Sequence, residues 1–313
     1  MSAVLNSDAR GGSRTHVVAV CVAYHPDPSH FERVLRAACS QTQALIVVDN
    51  SQPACAGIEN LCAAAGARHM PQMHNTGLAT ALNAGIEAAL QSGATHVLLL
   101  DHDSIPAPGM VAALLRGLSE MGPEEEIGAV GPCYRDTISG RIVTTHRFEG
   151  WRRYKSNVHS SAGGYARTDM MITSGALIPR ASLGRVGLMD QALFIDHIDT
   201  DWVFRARTLG LSLYLVVDAR MDHRLGERCV TPPGFRGRAI VLHDAFRLYF
   251  IVRNSILLYR RPHAFARWII FDLKRLLMLT AAHFIYGPAR ATIVREVVRG
   301  ALHGLKGKTG PRE

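Results

Sequence analysis

Residues 96–104 read His-Val-Leu-Leu-Leu-Asp-His-Asp-Ser, an apolar run of strand length that ends in two aspartates, Asp101 and Asp103. Similar apolar runs alternate with patterns of helical periodicity between the N-terminus and this stretch. We predict strands at residues 16–23, 44–48 and 96–100, and helices near residues 29–40, 56–65 and 76–91. This alternation predicts an α/β fold, in which a mostly parallel central sheet is flanked by helices on both faces.

The two aspartates follow a buried strand, and ligands of open α/β sheets bind beyond the carboxyl ends of strands. Two carboxylates held this close repel each other unless a cation lies beside them. Mg²⁺ or Mn²⁺ prefers oxygen ligands and commonly binds through one or two carboxylates together with substrate phosphates. The pair therefore indicates a divalent metal and a diphosphate-bearing substrate. The alternative is that Asp103 caps a helix and Asp101 is solvated.

Two further polar segments follow at the same predicted edge of the sheet. Asp49-Asn50-Ser51 comes after the second strand, and Asn75-Thr76-Gly77 stands at the start of the third helix. Asp49 could accept a hydrogen bond from the imide N–H of a uracil or thymine ring. The alternative is that both tripeptides act only as turn and cap signals.

A second acidic cluster, Asp196, Asp199 and Asp201, precedes or opens a helix that we predict at residues 200–209. The helix macrodipole accounts for Asp201, but it does not require the other two. One of the three could act as the general base for an alcohol acceptor. His223 follows a strand predicted at residues 211–217 by a short loop, from which its imidazole could complete a metal shell.

The 313-residue chain carries a formal net charge of +9 and six cysteines without a C-x-x-C pair. We expect one large domain with an appended segment, a disordered leader at residues 1–15, and reduced thiols in a cytoplasmic protein. The charge fits an anionic partner, which could be a nucleotide diphosphate or a membrane surface. Nucleic acid is not expected, since the chain lacks zinc-finger and RNA-binding motifs.

The segment from residue 241 to 313 has a helical pattern with apolar positions that charged residues interrupt. Its longest charge-free stretch, residues 276–289, is shorter than the roughly 20 apolar residues that span a bilayer. We expect a surface-lying helix pair that makes peripheral contact with the inner face of the cytoplasmic membrane. Arg253 and Asn254 could hold phosphates or lipid headgroups, and the alternative is a solvated basic face.

Residues 17–261 together resemble the inverting GT-A glycosyltransferases of family 2, particularly bacterial rhamnosyltransferases of surface-polysaccharide (O-antigen) assembly. The resemblance is carried by motifs in characteristic order, namely residues 23–26, 47–50, 75–79, 100–104, 173–178 and 193–202, His223 and Arg253-Asn254. It implies a GT-A-like domain at residues 16–240, with a donor half at about 16–130 and an acceptor half at about 131–240. The C-terminal helical segment would follow.

The resemblance also implies roles for individual residues. Asp199 would be the catalytic base, and Asp101, Asp103 and His223 would hold Mg²⁺ or Mn²⁺. The nucleotide-sugar donor would contact Tyr24, Asp49, Asn75, Gly77, Asp101, His102 and Asp103. The acceptor would contact Ser174, Gly175, Asp196, Asp199, Trp202, Arg253 and Asn254. Many members carry Glu-Asp where this chain has Ile198-Asp199, so the first carboxylate is absent at that position.

The resemblance favours dTDP-rhamnose as donor and a saccharide or lipid-linked saccharide as acceptor. The alternatives are a UDP- or GDP-sugar donor, or a non-catalytic membrane-associated relative. Other enzyme classes of similar fold fit less well. A nicotinamide-dependent oxidoreductase needs G-x-G-x-x-G after the first strand, where this chain has Ala-Tyr-His-Pro at residues 23–26. A nucleotidyltransferase would need a glycine-rich, arginine-bearing loop at the same place.

Overall fold

The computed structural model describes residues 15–122, 124–149, 152–157, 164–224, 228–231 and 240–312. Residues 1–14 of the predicted leader lie outside these ranges. The strands are β1 Val17–Ala23, β2 Ala44–Asp49, β3 Arg68–Pro71, β4 His96–Asp101, β5 Ile105–Pro106, β6 Ile127–Asp136, β7 Thr144–Glu149, β8 Arg152–Asn157, β9 Tyr165–Thr168, β10 Leu177–Pro179, β11 Ser212–His223, β12 Arg228–Val230 and β13 Ile240–Leu242. The α-helices are α1 Pro28–Cys39, α2 Ile58–Ala65, α3 Leu78–Gln91, α4 Met110–Glu120, α5 Arg180–Val186, α6 Ile198–Thr208, α7 Ala245–Tyr259, α8 Ala266–Tyr286 and α9 Arg290–Leu305.

A nine-stranded sheet forms the centre of the described structure, in the order β3-β2-β1-β4-β10-β6-β11-β5, with β9 paired to β11. Strands β3, β2, β1 and β4 are parallel neighbours, and β6 and β11 form a second parallel pair. The short strand β10 is antiparallel to both β4 and β6 and joins the two halves. Because β4, β6 and β11 therefore run in one direction, their carboxyl ends meet at the same edge of the sheet.

Strand β1 shows how the sequence builds both faces of this sheet. Its seven residues are all buried, because helices cover the sheet on both sides. Val18, Val20 and Val22 belong to the core beneath α3 and α6, whereas the alternate residues pack beneath α1, α2 and α4. The predicted α/β fold with a mostly parallel sheet is confirmed.

Two strands differ from the sequence prediction. Strand β3 was not predicted, because it is a four-residue edge strand that contains Arg68 and His69 in place of an apolar run. The strand that ends at Asp101 is therefore the fourth along the chain. Strand β11 continues six residues beyond the predicted end at 217, so His223 is its last residue and does not follow a loop. A register shift against β6 between Val216 and Arg220 interrupts the apolar pattern there.

Three C-terminal helices, where we predicted a pair, pack beside the sheet. Helix α9 lies close against α7 at two glycines: a Cβ on Gly300 would lie 2.6 Å from the carbonyl oxygen of Tyr249, and one on Gly304 would lie 2.8 Å from Ile256 Cβ. In α8, Trp268 is fully buried and belongs to the same core as β1. Among the described residues, none of the helices combines the length and apolarity that crossing a bilayer requires.

Candidate active site

Asp101, Asp103 and His223 form an acidic and imidazole cluster at the carboxyl edge of the sheet. Asp101 ends β4, Asp103 lies in the turn that follows, and His223 ends β11. One ligand atom from each of the three lies within 4.8 Å of the others, and His223 Nδ1 is 3.3 Å from Asp103 Oδ1. Two carboxylates and an imidazole that converge in this way are a suitable donor set for a divalent ion.

The charges of the cluster depend on one another. Burial raises the pKa of Asp101, and the neighbouring charge of Asp103 adds to that effect. Burial opposes ionisation of Asp103 and His223 as well, but their mutual hydrogen bond and attraction outweigh it. The pKa of Asp103 is therefore lowered and that of His223 is raised. The site thus favours positive charge beside Asp103, whether from the imidazolium or from a bound cation.

Two buried serines, Ser104 and Ser174, form hydrogen bonds to residues of this cluster. Ser104 Oγ lies 2.7 Å from His223 Nδ1, and the Ser174 hydroxyl donates to Ser104 Oγ over 2.6 Å. The backbone N–H of Asp101 donates in turn to Ser174 Oγ over 3.1 Å. Gly175, with φ of 83°, brings the backbone so close to Pro132 that a Cβ would lie 2.5 Å from its Cγ. Ser174 therefore orients residues of the cluster, and Ser104 is a neighbour of the cluster to which the sequence analysis gave no role.

The residues predicted to contact the nucleotide lie at the same edge, at the ends of β1 and β2. Tyr24 is exposed just beyond β1, whereas Asp49 is buried at the end of β2, with its Oδ1 accepting from the N–H of Ser51 over 3.0 Å. His69 of β3 lies behind it, with Nε2 3.6 Å from Asp49 Oδ2. Sequence analysis missed His69 because β3 itself was not predicted.

Asn50, just after β2, connects the end of that strand to the turn before α3 through side-chain hydrogen bonds. Asn50 Nδ2 donates to Asn75 Oδ1 over 3.0 Å, and Asn50 Oδ1 accepts from the N–H of Thr76 over 2.8 Å. Gly77, with φ of 87°, is packed under Phe194, whose Cδ2 would lie 2.5 Å from an added Cβ. Asn75 is therefore held beside the end of β2, and Gly77 against Phe194. His102 lies in the turn between the two aspartates, partly exposed.

Asp199 lies in the first turn of α6 and lines an open cavity of about 150 Å³. Tyr134 and Ser174 line the same cavity. The Tyr134 ring contacts His223 edge-on, with ring centroids 5.7 Å apart, so the cavity adjoins the cluster of Asp101, Asp103 and His223. Burial raises the pKa of Asp199 to about 6; the hydrogen bonds from Thr200 oppose this shift, and the charges of Asp196 and Asp101 reinforce it.

The other two aspartates of the acidic cluster are neutralised by ion pairs. Asp196 pairs with Arg247 at 2.9 Å, and the pKa of Asp196 stays below its ordinary value although burial opposes this. Asp201 is fully buried and pairs with Arg205 at 2.9 Å and with Arg261 at 2.5 Å. Within the described part of the chain, Asp199 alone of the three has no ion pair. It is therefore the one that can accept a proton.

Three residues predicted to contact the acceptor lie in the interior, so that prediction is corrected. Trp202 is buried, and its Nε1–H donates to the carbonyl of Gly187 over 2.9 Å. Arg253 and Asn254 are fully buried and donate to backbone carbonyls, including that of Leu193. The family resemblance implied these contacts, but it gave no information on burial.

The family model of glycosyl transferase family 2 matches residues 19–186, more than half of the chain. The chain belongs to this family. The match contains Asp49, Asp101 and Asp103 but ends before Asp199 and His223.

Curated relatives extend the similarity over nearly the whole of this family 2 glycosyltransferase. The chain is 26% identical over 309 residues to dTDP-rhamnosyl transferase RfbF of Shigella flexneri, covering 95% of this chain and 97% of the relative. It is 27% identical over 218 residues to galactofuranosyltransferase GlfT1 of Mycobacterium tuberculosis, covering 68% of this chain and 71% of that protein.

Solved structures show the same fold at lower identity. Mannosyltransferase PcManGT of Pyrobaculum calidifontis, in complex with GDP-Man and Mn²⁺, matches with a TM-score of 0.55 and 16% identity over 95% of this chain and 89% of its own. GalNAc-T7 with UDP, GalNAc and Mn²⁺ matches with a TM-score of 0.56 and 13% identity over 89% of this chain. The matched region spans 59% of the GalNAc-T7 chain.

Proposed function

We propose that this protein is a metal-dependent inverting glycosyltransferase that moves rhamnose from dTDP-rhamnose to a saccharide or lipid-linked saccharide in cell-surface polysaccharide biosynthesis. One observation carries the proposal: Asp199, free of any ion pair among the described residues, lines a cavity that adjoins the cluster of Asp101, Asp103 and His223. Tyr134 and Ser174, which line the same cavity, contact His223 and the backbone of Asp101 respectively. This arrangement supports a base at Asp199 next to a site for metal and diphosphate at the cluster.

In the proposed reaction, Asp199 accepts the proton of the acceptor hydroxyl as its oxygen forms a bond to the anomeric carbon of the sugar. The bond from that carbon to the diphosphate oxygen breaks, and the nucleoside diphosphate leaves with the electron pair. Because attack and departure occur on opposite faces of the sugar, the anomeric configuration inverts. Asp101, Asp103 and His223 would hold the divalent ion, which supplies positive charge to the departing diphosphate.

The donor is proposed from the similarity to RfbF, which covers nearly the whole chain. The buried carboxylate of Asp49 supports a base with an N–H at its edge, as thymine has. A UDP- or GDP-sugar is the alternative, because the solved relatives were determined with UDP and GalNAc and with GDP-Man.

A donor screen tests this proposal. Purified protein is incubated with dTDP-rhamnose, UDP-galactose or GDP-mannose, with Mn²⁺, Mg²⁺ or EDTA, and release of the nucleoside diphosphate is measured with saccharide acceptors present. We expect turnover of dTDP-rhamnose that EDTA abolishes. Asp199→Asn should bind donor normally but lose transfer by about 10²- to 10⁴-fold.

Asp218→Asn is the matched control for loss of a carboxylate, since Asp218 lies exposed on β11. It should transfer at the wild-type rate. Absence of metal-dependent donor binding would contradict the proposal and favour a non-catalytic relative. Full activity of Asp199→Asn would contradict the assignment of the base.

We further propose that α8 and α9 lie on an anionic membrane surface. Of the sixteen large apolar side chains that are exposed in the described residues, ten belong to these two helices. These ten are Ile270, Leu273, Leu277, Met278, Phe284, Ile285, Val294, Val298, Leu302 and Leu305.

The charges on these helices favour anionic lipid over a second protein copy as the partner. Both acidic residues of α8 and α9, Asp272 and Glu296, are buried and paired with arginines. Lys274, Arg290 and Arg295 are exposed. An exposed apolar face with basic flanks binds anionic headgroups while its apolar side chains enter the interface.

Sedimentation with vesicles tests the membrane contact. Deleting the helices is unsuitable, because Trp268 of α8 belongs to the main core. We expect wild-type protein to sediment with vesicles of phosphatidylcholine and phosphatidylglycerol, and Leu277→Glu and Leu302→Glu to remain in the supernatant. Leu209→Glu, an exposed leucine outside these helices, should behave as wild type. The proposal would be overturned if wild-type protein did not sediment with these vesicles and instead formed a dimer that Leu277→Glu dissociates.

A further inference from the structure

The loop that leads into the Asp199 helix has an unusual backbone. Phe194, Asp196 and His197 have φ values of 64°, 62° and 62°, in the left-handed region that side chains other than glycine rarely adopt. Each such residue costs on the order of 1–2 kcal/mol, so the surrounding structure must impose the conformation. The loop ends directly at α6, whose first turn carries Asp199.

Side chains of helix α7 donate hydrogen bonds to the backbone of this loop. Asn254 Nδ2 lies 2.9, 2.7 and 3.0 Å from the carbonyl oxygens of Leu193, Ile195 and Asp196. One buried amide group therefore serves three carbonyls in a stretch of four residues. The neighbouring Arg253 donates to the Leu193 carbonyl over 3.0 Å.

The side chains of all three left-handed residues are also held by the C-terminal helices. The Phe194 ring stacks on Phe250 of α7 at 5.1 Å with an angle of 17° between the rings. Asp196 forms its ion pair with Arg247, also of α7. His197 Nε2 lies 2.9 Å from Ser255 Oγ and 3.1 Å from an Arg275 nitrogen of α8.

We infer that Asn254 is a positioning residue, which holds the 194–197 loop in its left-handed conformation and thereby fixes Asp199 against the acceptor. Asn254 is fully buried and so acts on the acceptor only through this loop. The C-terminal helices would then contribute to sugar transfer by holding the loop in place. This inference rests on the proposed function of Asp199 as the base. Reacting groups displaced by about 1 Å can lose about 10²-fold in rate, so a displaced loop should affect turnover more than donor binding.

The test compares Asn254→Ala and Asn254→Asp with wild-type protein in the transfer assay. Both substitutions remove the amide donors, and Asn254→Asp does so at nearly constant volume. We expect kcat to fall by about 10- to 100-fold, while KM for the donor and the Kd for Mn²⁺ change less than about threefold. Each rate is expressed per folded molecule, counted by binding of the nucleoside diphosphate.

Asn83→Ala is the matched control. Asn83 is a second buried asparagine whose side chain binds loop backbone, with Nδ2 and Oδ1 each 2.9 Å from the backbone groups of Met189. It should lower the thermal midpoint much as Asn254→Ala does, but leave kcat within about twofold of wild type. Equal loss of kcat in both variants would show a merely structural role and overturn the inference.

Failure of the inference is distinguishable from failure of the proposed function. If wild-type protein transfers sugar and both Asn254 variants keep wild-type kcat, the positioning role is refuted while the base remains. If wild-type protein shows no transfer with any donor, the proposed function itself fails.

Discussion

Asp199 differs from its acidic neighbours in what surrounds the carboxylate. Asp196 and Asp201 each lie against an arginine. The Asp199 carboxylate, by contrast, accepts hydrogen bonds only from Thr200 within the described ranges, and it opens onto the cavity. The sequence identifies all three as candidates, because an acidic cluster before a helix is visible in any single chain. The acidic pattern alone does not rank them, because Arg247 lies about fifty residues away and becomes a neighbour only through folding. Before the structure, only the family resemblance favoured Asp199.

Asp199 should produce an acidic limb in the pH profile of transfer. A base must be ionised, and burial raises the pKa of Asp199 to about 6. We expect kcat/KM for the acceptor to fall about tenfold per pH unit below about 6 and to level off above it. The profile is measured at saturating Mn²⁺, so that protonation of His223 does not contribute. A rate that is constant between pH 5 and 7 would contradict the assignment.

His223 should contribute directly to metal affinity. One of its ring nitrogens lies within 4.8 Å of a carboxylate oxygen of both aspartates, so His223→Ala would remove one of the three proposed ligands. We expect Mn²⁺ binding, measured by calorimetry without donor, to weaken by at least about tenfold. His303→Ala, a histidine near the end of α9, provides the control and should bind Mn²⁺ like wild type. Unchanged affinity in His223→Ala would exclude the residue from the site.

At the level of secondary structure, local pattern predicted most of the elements between β1 and α3 to within two residues. These elements are fully buried strands or amphipathic helices, and such residues show the corresponding periodicity. The pattern failed where tertiary pairing sustains an element: β3 is a short polar edge strand, and β11 continues past a register shift because β6 pairs with it. His223 was therefore assigned correctly to the edge of the sheet but placed in a loop.

The packing of α7 against α9 should be destabilised by any side chain that replaces a glycine at their contact. A Cβ on Gly304 would lie 2.8 Å from Ile256 Cβ and 2.9 Å from the Arg253 carbonyl. We expect Gly304→Val to lower the free energy of unfolding by about 1–3 kcal/mol, measured by urea denaturation. Because Arg253 and Asn254 lie on the opposing helix, transfer activity should fall as well.

Gly184→Ala is the control for this prediction about helix contacts. Gly184 lies in α5, and a Cβ added there would have nothing within 4 Å, so alanine replaces a flexible helical residue without crowding. It should raise the free energy of unfolding by about 0.5–1 kcal/mol. A Gly304 variant as stable as wild type would show that the two helices can separate without cost.

Over the whole molecule, the order of strands brings together residues that are far apart in the chain. The antiparallel strand β10 lies between β4 and β6, so Asp101 and His223 come from the two parallel halves of the sheet. The sequence predicted one edge with both residues, since parallel strands end together. The buried serines that connect them depend on side-chain packing, which a single sequence does not reveal.

The net charge of +9 should make membrane binding sensitive to salt. The Debye length falls from about 10 Å at 0.1 M salt to about 3 Å at 1 M. We expect the fraction bound to anionic vesicles to fall steeply over that range, leaving a residual fraction that depends on the apolar side chains of α8 and α9. Binding that is independent of salt and equal on neutral vesicles would contradict an electrostatic contribution.

The backbone of Gly310 makes hydrogen bonds that can form only late in the synthesis of the enzyme. Its N–H donates to the carbonyl of Ala192 over 2.8 Å, and its carbonyl accepts from Arg253 over 2.6 Å, so residue 310 supports the chain just before the 194–197 loop. During translation the N-terminal sheet can form early, yet this support is missing until residue 310 has left the ribosome. We therefore expect a stalled, ribosome-bound chain to bind nucleotide before it can transfer sugar.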